Sequence, residues 1–128
     1  MAVELGAEAI RILTGRNYAH FVTLMPDGSP HVAPVWVDVD GGDVLVNTAD
    51  GRVKVENVRR DPRVALSARD QADPEAYVMV RGTVVEIAEV GAQEHIDRLS
   101  RRYDGEAWEP VPGQRRLILR IRPHHVLA

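Results

Sequence analysis

The sequence has 128 residues and a formal net charge of −3 at pH 7, and this overall acidity argues against general binding to nucleic acid. With 45% hydrophobic and 27% charged residues, it is typical of one folded domain, here residues 1–128, and the absence of cysteine excludes disulfides and thiolate sites. No apolar run is long enough to cross a membrane and no signal peptide is visible, so we expect a cytoplasmic protein.

The predicted elements are six strands and three helices. Apolar residues at helical spacing predict the helices, and apolar runs bounded by turn residues predict the strands. In chain order they are a helix over 4–14, strands over 18–25, 31–39 and 44–48, a helix over 52–60, strands over 64–68 and 77–90, a helix over 92–103 and a strand over 117–122 that ends at Pro123. Short hairpin turns join most of the strands. We therefore expect a mainly β, six-stranded antiparallel barrel with two to three peripheral helices.

Residues 47–67 hold the most informative pattern of the chain, a strand end followed by a turn and a short helix. Arg52 and Lys54, the only lysine, lie where the turn passes into the helix, and free backbone N–H groups and the helix dipole favour an anion there. Residues 52–69 carry six basic and two acidic residues, a local net charge of +4. This pattern predicts a phosphate site, with a solvated surface helix as the alternative, and in either case we expect an exposed Lys54.

No other pattern indicates a catalytic or metal centre. The five histidines lack metal-ligand spacing, no carboxylate pair stands out, and glycine-rich nucleotide-binding loops and G-x-S-x-G are absent. Trp36, beside Pro34, has two interpretations, packing at a subunit interface or the wall of a flat aromatic pocket. Tyr77 is expected in the core or at an interface, and Trp108 as a packing anchor.

The stretch from Gly51 to Arg63 reads G-R-V-K-V-E-N-V-R-R-D-P-R. This pattern resembles the short F420-dependent members of the pyridoxamine 5′-phosphate oxidase-like superfamily, the flavin/deazaflavin oxidoreductases. The turn at residues 26–31 and the segment Tyr77…Arg81-Gly82-Thr83 resemble the same group, and the likeness covers nearly the whole chain. It implies a split β-barrel of the FMN-binding type that forms a homodimer, with two cofactor sites at the dimer interface.

The resemblance also implies roles for individual residues. Arg52 and Lys54 would hold the phosphate of F420 with support from Asn57, the backbone of residues 33–36 and the Thr48 hydroxyl would face the ring system, and Tyr77 would come from the partner chain. The implied cofactor-binding residues are Ala33, Pro34, Val35, Trp36, Thr48, Arg52, Val53, Lys54, Asn57 and Tyr77. No catalytic side chain is implied, because a reduced deazaflavin carries the hydride itself.

The function that follows is F420H2-dependent reduction of a small, conjugated organic substrate. An FMN-binding split-barrel oxidoreductase is one alternative, although its relatives carry further basic residues on the strand before the loop and none occurs here between Arg16 and Arg52. A non-enzymatic carrier of the cofactor, of haem or of another ligand is the other. Arg122-Pro123-His124 has the spacing of the pyridoxal-phosphate-binding Arg-x-His of the oxidases, but it stands at the chain end and receives no such role.

Overall fold

The computed structural model describes residues 1–128, which form seven strands and three helices. The helices are α1 (Ala7–Leu13), α2 (Val53–Arg60) and α3 (Ala92–Asp104). The strands are β1 (Ala19–Leu24), β2 (Pro30–Val35), β3 (Val37–Asp40), β4 (Asp43–Ala49), β5 (Arg63–Arg69), β6 (Tyr77–Ala88) and β7 (Arg116–Leu127). They form one antiparallel sheet in the order β2-β1-β5-β6-β7-β4-β3, which curls into a split barrel and confirms the predicted mainly β fold.

The predicted strand over 31–39 is two strands in the structure, because the chain changes pairing partner at Trp36. β2 pairs with β1 at one edge of the sheet, with Val35 opposite Ala19. β3 pairs with β4 at the other edge, with Val37 opposite Val46. One extended segment thus joins both edges and closes the barrel, which raises the strand count from six to seven and places Trp36 at the junction.

The main hydrophobic core fills the inside of the curled sheet, because alternate residues of each strand point inward. Eighteen buried apolar residues form it, among them Phe21, Leu119 and, from α1, the fully buried Ile12. A smaller cluster lies under α3, where Tyr103 and its neighbours pack against two tryptophans. None of the three helices is both long and apolar enough to span a membrane.

β7 is longer than the predicted strand, which ended at Pro123. It continues to Leu127 and pairs with β6 through a register shift between Arg81 and Gly82, the bend expected near this glycine. Pro123 stands opposite Gly82 at this irregularity, where a residue without a backbone N–H interrupts the pairing least. A Cβ at position 82 would collide with the carbonyl oxygen of Arg122, so only glycine fits.

Candidate functional site

A cavity of about 260 Å³ lies beside the junction of β2 and β3 and the start of α2. Six of the residues expected at the cofactor site line it, namely Pro34, Val35, Trp36, Thr48, Arg52 and Lys54. Five residues that the sequence pattern did not indicate also line it, namely Tyr18, Asn47, Ile96, Trp108 and Arg116. The cavity therefore joins the aromatic junction of the barrel to the basic start of α2.

Three cations in this cavity wall lack a counter-charge. Arg52 is exposed, whereas Lys54 and Arg116 are buried, and none of the three takes part in any of the fourteen ion pairs of the structure. Burial lowers the pKa of Lys54, and the charges of Arg52 and Arg116 lower it further. Burial and the charge of Arg52 lower the pKa of Arg116 to about 10. An anion bound among the three would relieve this mutual repulsion.

The position of Lys54 corrects the expectation of an exposed turn residue. Lys54 is the second residue of α2 and only 9% exposed. The carbonyl of Arg52 accepts from the N–H groups of Val55 and Glu56, which leaves the N–H groups of Val53 and Lys54 without a backbone acceptor. The side chain of Val53 is exposed and does not line the cavity, so the free backbone N–H is the only group that this residue offers to an anion at the helix start.

Two of the four other basic residues in the segment 52–69 are paired with carboxylates. Arg59 lies 3.0 Å from Asp50 and 2.7 Å from Glu56, and Arg63 lies 2.8 Å from Asp61. The net charge of +4 already subtracts Glu56 and Asp61. It still overstates what reaches the cavity, because two of the four remaining cations, Arg60 and Arg69, do not line it. The charge of the cavity comes from Arg52 and Lys54 together with an arginine of β7.

Asn57 is not part of the cavity wall and instead ties α2 to β1. Its amide nitrogen donates to the Thr23 hydroxyl at 2.9 Å, and its Oδ1 accepts from Arg60 at 3.0 Å. Arg60 also donates to the carbonyl of Leu24, the last residue of β1. These bonds hold the helix whose first turn carries Lys54, so the geometry gives Asn57 an indirect contribution to the cavity.

Two buried polar atoms of the cavity wall have no hydrogen-bond partner in the protein. They are Thr48 Oγ1 and Trp108 Nε1. Leaving such a group unpaired costs about 1–3 kcal/mol, so a ligand with acceptors at these positions would be favoured. Thr48, whose hydroxyl the resemblance implied would face the ring system, lies in this cavity wall. Trp108, expected only as a packing anchor, adds an indole N–H.

Trp36 forms a flat aromatic wall within its own chain. Its ring stacks on Tyr103 at 5.2 Å with an interplanar angle of 7°, and Trp108 meets it edge-on at 6.3 Å. The Tyr103 hydroxyl donates to the carbonyl of Asn17 at 2.8 Å and accepts from the Val37 N–H at 3.2 Å, which fixes the ring beneath Trp36. The half-buried Trp36 therefore offers a rigid surface suited to a planar ring.

Arg116 reaches the cavity from the start of β7. Its Nε donates to Asn47 Oδ1 at 3.0 Å and its Nη1 to Gln114 Oε1 at 3.2 Å. Its guanidinium carbon lies 5.1 Å from the centre of the Trp108 ring, a distance at which a cation and an aromatic face attract. The sequence offered only an Arg-Arg pair before the last strand, which says nothing about where either side chain goes.

A larger cleft of about 640 Å³ adjoins the cavity and shares Tyr18 with it. Arg16, His20, Arg69 and Tyr77 line this cleft together with other, mainly polar residues. Tyr77 is 49% exposed and is not part of the smaller cavity. Ala33 lies on β2 and lines neither space.

Comparison with known proteins finds relatives over nearly the whole chain. The family model of pyridoxamine 5′-phosphate oxidase matches residues 5–128. An F420H2-dependent biliverdin reductase of Mycobacterium tuberculosis is 27% identical, with 98% of this chain and 88% of that protein covered. The structure of an F420 reductase superposes with a TM-score of 0.84 at 33% identity, covering 98% of both chains. A conserved hypothetical protein of M. tuberculosis superposes with a TM-score of 0.73 at 25% identity, covering 98% of this chain and 84% of that one.

Proposed function

The chain belongs to the pyridoxamine 5′-phosphate oxidase family of split-barrel oxidoreductases, and we propose that it uses reduced coenzyme F420 to reduce a small, conjugated organic substrate. One observation carries this proposal, namely the meeting of three unpaired cations, two unpaired polar atoms and a flat aromatic wall in one cavity. The F420 dependence named for two of the relatives supports the choice of cofactor.

The residues of the cavity suit the chemical parts of F420. In this proposal Arg52, Lys54 and Arg116 hold the phosphate, aided by the free N–H groups at the start of α2. Thr48 and Trp36 face the ring system, as the resemblance implies. The fit is a chemical one, because a phosphate supplies the negative charge that the three cations lack.

When bound, reduced F420 supplies the hydride, and the work left to the protein is to bind and orient it. The stacked pair of Trp36 and Tyr103 gives a rigid surface that shields one side of the site from water. The wall of the cofactor cavity contains no carboxylate and no histidine, so we assign no acid–base residue within it. We place the substrate in the larger cleft, because that space adjoins the cofactor cavity at Tyr18.

We also propose a homodimer with the cofactor at its interface. Val32 of β2 is 59% exposed on the outer face of the sheet. It lies opposite Val22 of β1, which in turn lies opposite Ala65 of β5. The exposed Tyr77 lies on β6 of the same sheet. An exposed apolar surface of this kind suits a second copy of the chain, whose Tyr77 would complete the site. Light scattering should give twice the chain mass, and a particle of only 14.2 kDa would argue against the shared site.

FMN is the rival cofactor, and the position of Arg116 keeps it in consideration. No basic residue lies between Arg16 and Arg52, but Arg116 brings a third cation into the cavity from a distant strand. A cation count therefore does not separate the two phosphates.

Isothermal titration calorimetry with F420 and FMN side by side tests the assignment. We expect F420 to bind more tightly, and equal or tighter binding of FMN would overturn it. Oxidation of reduced F420 in the presence of conjugated acceptors then separates a reductase from a carrier, since a carrier binds the cofactor without turnover.

A further inference from the structure

Arg116 is the last member of a chain of hydrogen bonds that begins on α3. Arg102 donates to Asp38 Oδ1 at 2.8 Å, and Asp38 Oδ2 lies 3.0 Å from His95 Nε2. His95 Nδ1 lies 3.1 Å from the amide nitrogen of Asn47, whose Oδ1 accepts from Arg116 Nε at 3.0 Å. His95 is fully buried, and Asn47 and Arg116 are 8% exposed each. The cavity wall is therefore connected through side chains alone to Arg102, near the end of α3.

The partners determine which atoms carry protons. A guanidinium can only donate, so Asn47 must turn its Oδ1 towards Arg116 and its NH2 towards His95 and the carbonyl of Ala92, 2.9 Å away. His95 Nδ1 is then an acceptor, and its proton lies on Nε2, facing Asp38. Burial by itself raises the pKa of Asp38, but hydrogen bonds from His95 and Arg102 outweigh it and bring the pKa to about 2, so the carboxylate is charged and accepts from both.

Arg116 needs such an anchor because the other cations of the cavity repel it. Its Nε is held by Asn47 and its Nη1 by Gln114, which leaves Nη2 without a partner in the protein and free for a ligand. A turned Asn47 amide would present its NH2 to the guanidinium and break this arrangement. His95 and the Ala92 carbonyl are the two acceptors that keep the amide from turning.

We propose that His95 is a positioning residue of the anion site, which acts through Asn47 to hold Arg116 with Nη2 towards the bound phosphate. His95 does not touch the ligand in this arrangement. The proposal rests on the proposed function, because it takes the phosphate of the cofactor as the anion that Arg116 contacts.

Two substitutions of His95 separate positioning from structural support. His95→Asn places an oxygen where Nδ1 accepts from Asn47, whereas His95→Gln keeps a donor towards Asp38 but offers Asn47 no acceptor. We expect His95→Gln to weaken F420 binding about tenfold and His95→Asn to weaken it less than about threefold, because a misplaced charged contact is worth about one power of ten. In an Arg116→Met background neither change should alter the affinity further.

A merely structural role gives a different result. In one such result, both His95 variants lose stability but bind F420 equally well once folded. In another, they weaken F420 binding in the Arg116→Met background as much as in the protein that keeps Arg116. Either outcome overturns the proposal. Nitrogen NMR of the imidazole in the parent protein requires no variant to fold. The spectrum should show that His95 is protonated on Nε2 and unprotonated on Nδ1. A protonated Nδ1 would refute the positioning role. The proposed function would still stand in that case if the parent protein binds F420.

Discussion

Replacement of Lys54 by methionine should weaken cofactor binding and stabilise the ligand-free protein at the same time. The ammonium group is buried in the cavity wall without an ion-pair partner, and the charges of Arg52 and Arg116 add to the cost of that burial. Methionine has a similar length and no charge, so it removes this cost while it fills nearly the same space.

The two effects have different sizes. A lost hydrogen bond to a charged phosphate costs about 1.5–3 kcal/mol, which raises the dissociation constant for F420 about ten- to a hundredfold. Removing an uncompensated buried charge should raise the free energy of unfolding by about 1 kcal/mol. Lys54→Arg should recover part of the binding, because the charge returns on a side chain of different shape.

Isothermal titration calorimetry measures the binding, and urea unfolding followed by circular dichroism measures the stability without ligand. Arg59→Met is the matched control, because it removes the same charge from the same helix but from an arginine paired with Asp50 and Glu56. We expect this control to change the affinity less than about twofold and the stability by less than about 1 kcal/mol. A Lys54→Met protein that binds F420 as well as the parent, or that is less stable than the parent, would refute the reasoning.

Three further predictions test other parts of the structure. Trp36→Leu removes the flat wall stacked on Tyr103 and should weaken F420 binding by about 1 kcal/mol or more, about fivefold or greater, in the same titration. The pKa of Asp38 is lowered from 3.8 to about 2, so the stability contributed by its carboxylate is complete above pH 3.8 and is lost as the pH falls towards 2. Urea unfolding should show that the free energy of unfolding of the parent falls by about 2 kcal/mol across this window, and by less in Asp38→Asn. Gly82→Ala sets a methyl group against the Arg122 carbonyl and should lower the unfolding free energy by about 2 kcal/mol or more, whereas an unchanged midpoint would show that the bulge adapts.

Much of the fold could be predicted from the sequence, because the features that specify strands and helices are local. Alternating apolar residues, hairpin turns and the proline after α2 each determine the backbone conformation of only a few neighbouring residues. The ends of most predicted elements therefore agree with the structure to within a few residues. The same holds for Arg52 and Lys54, whose place at a helix start follows from the turn before it. The pattern around them was sufficient to identify the family.

Other features depend on residues that are far apart in the chain. Trp36 interrupts a run that reads as one strand, because only closure of the barrel gives its two halves different partners. The packing of α2 buries Lys54 and brings Arg59 within 3.0 Å of Asp50. The net charge of the segment predicts neither the burial nor the ion pair. Arg116 joins the cavity from more than sixty residues away.

The sequence by itself therefore determined most of the elements, their order and the place of Arg52 and Lys54 at the start of α2, since each depends on neighbours along the chain. The tertiary structure alone decided which charges stay unpaired, which polar atoms of the cavity have no partner, and how His95 is connected to Arg116. Burial and pairing are properties of contacts in space, and in an antiparallel barrel most of those contacts join strands that are distant in sequence.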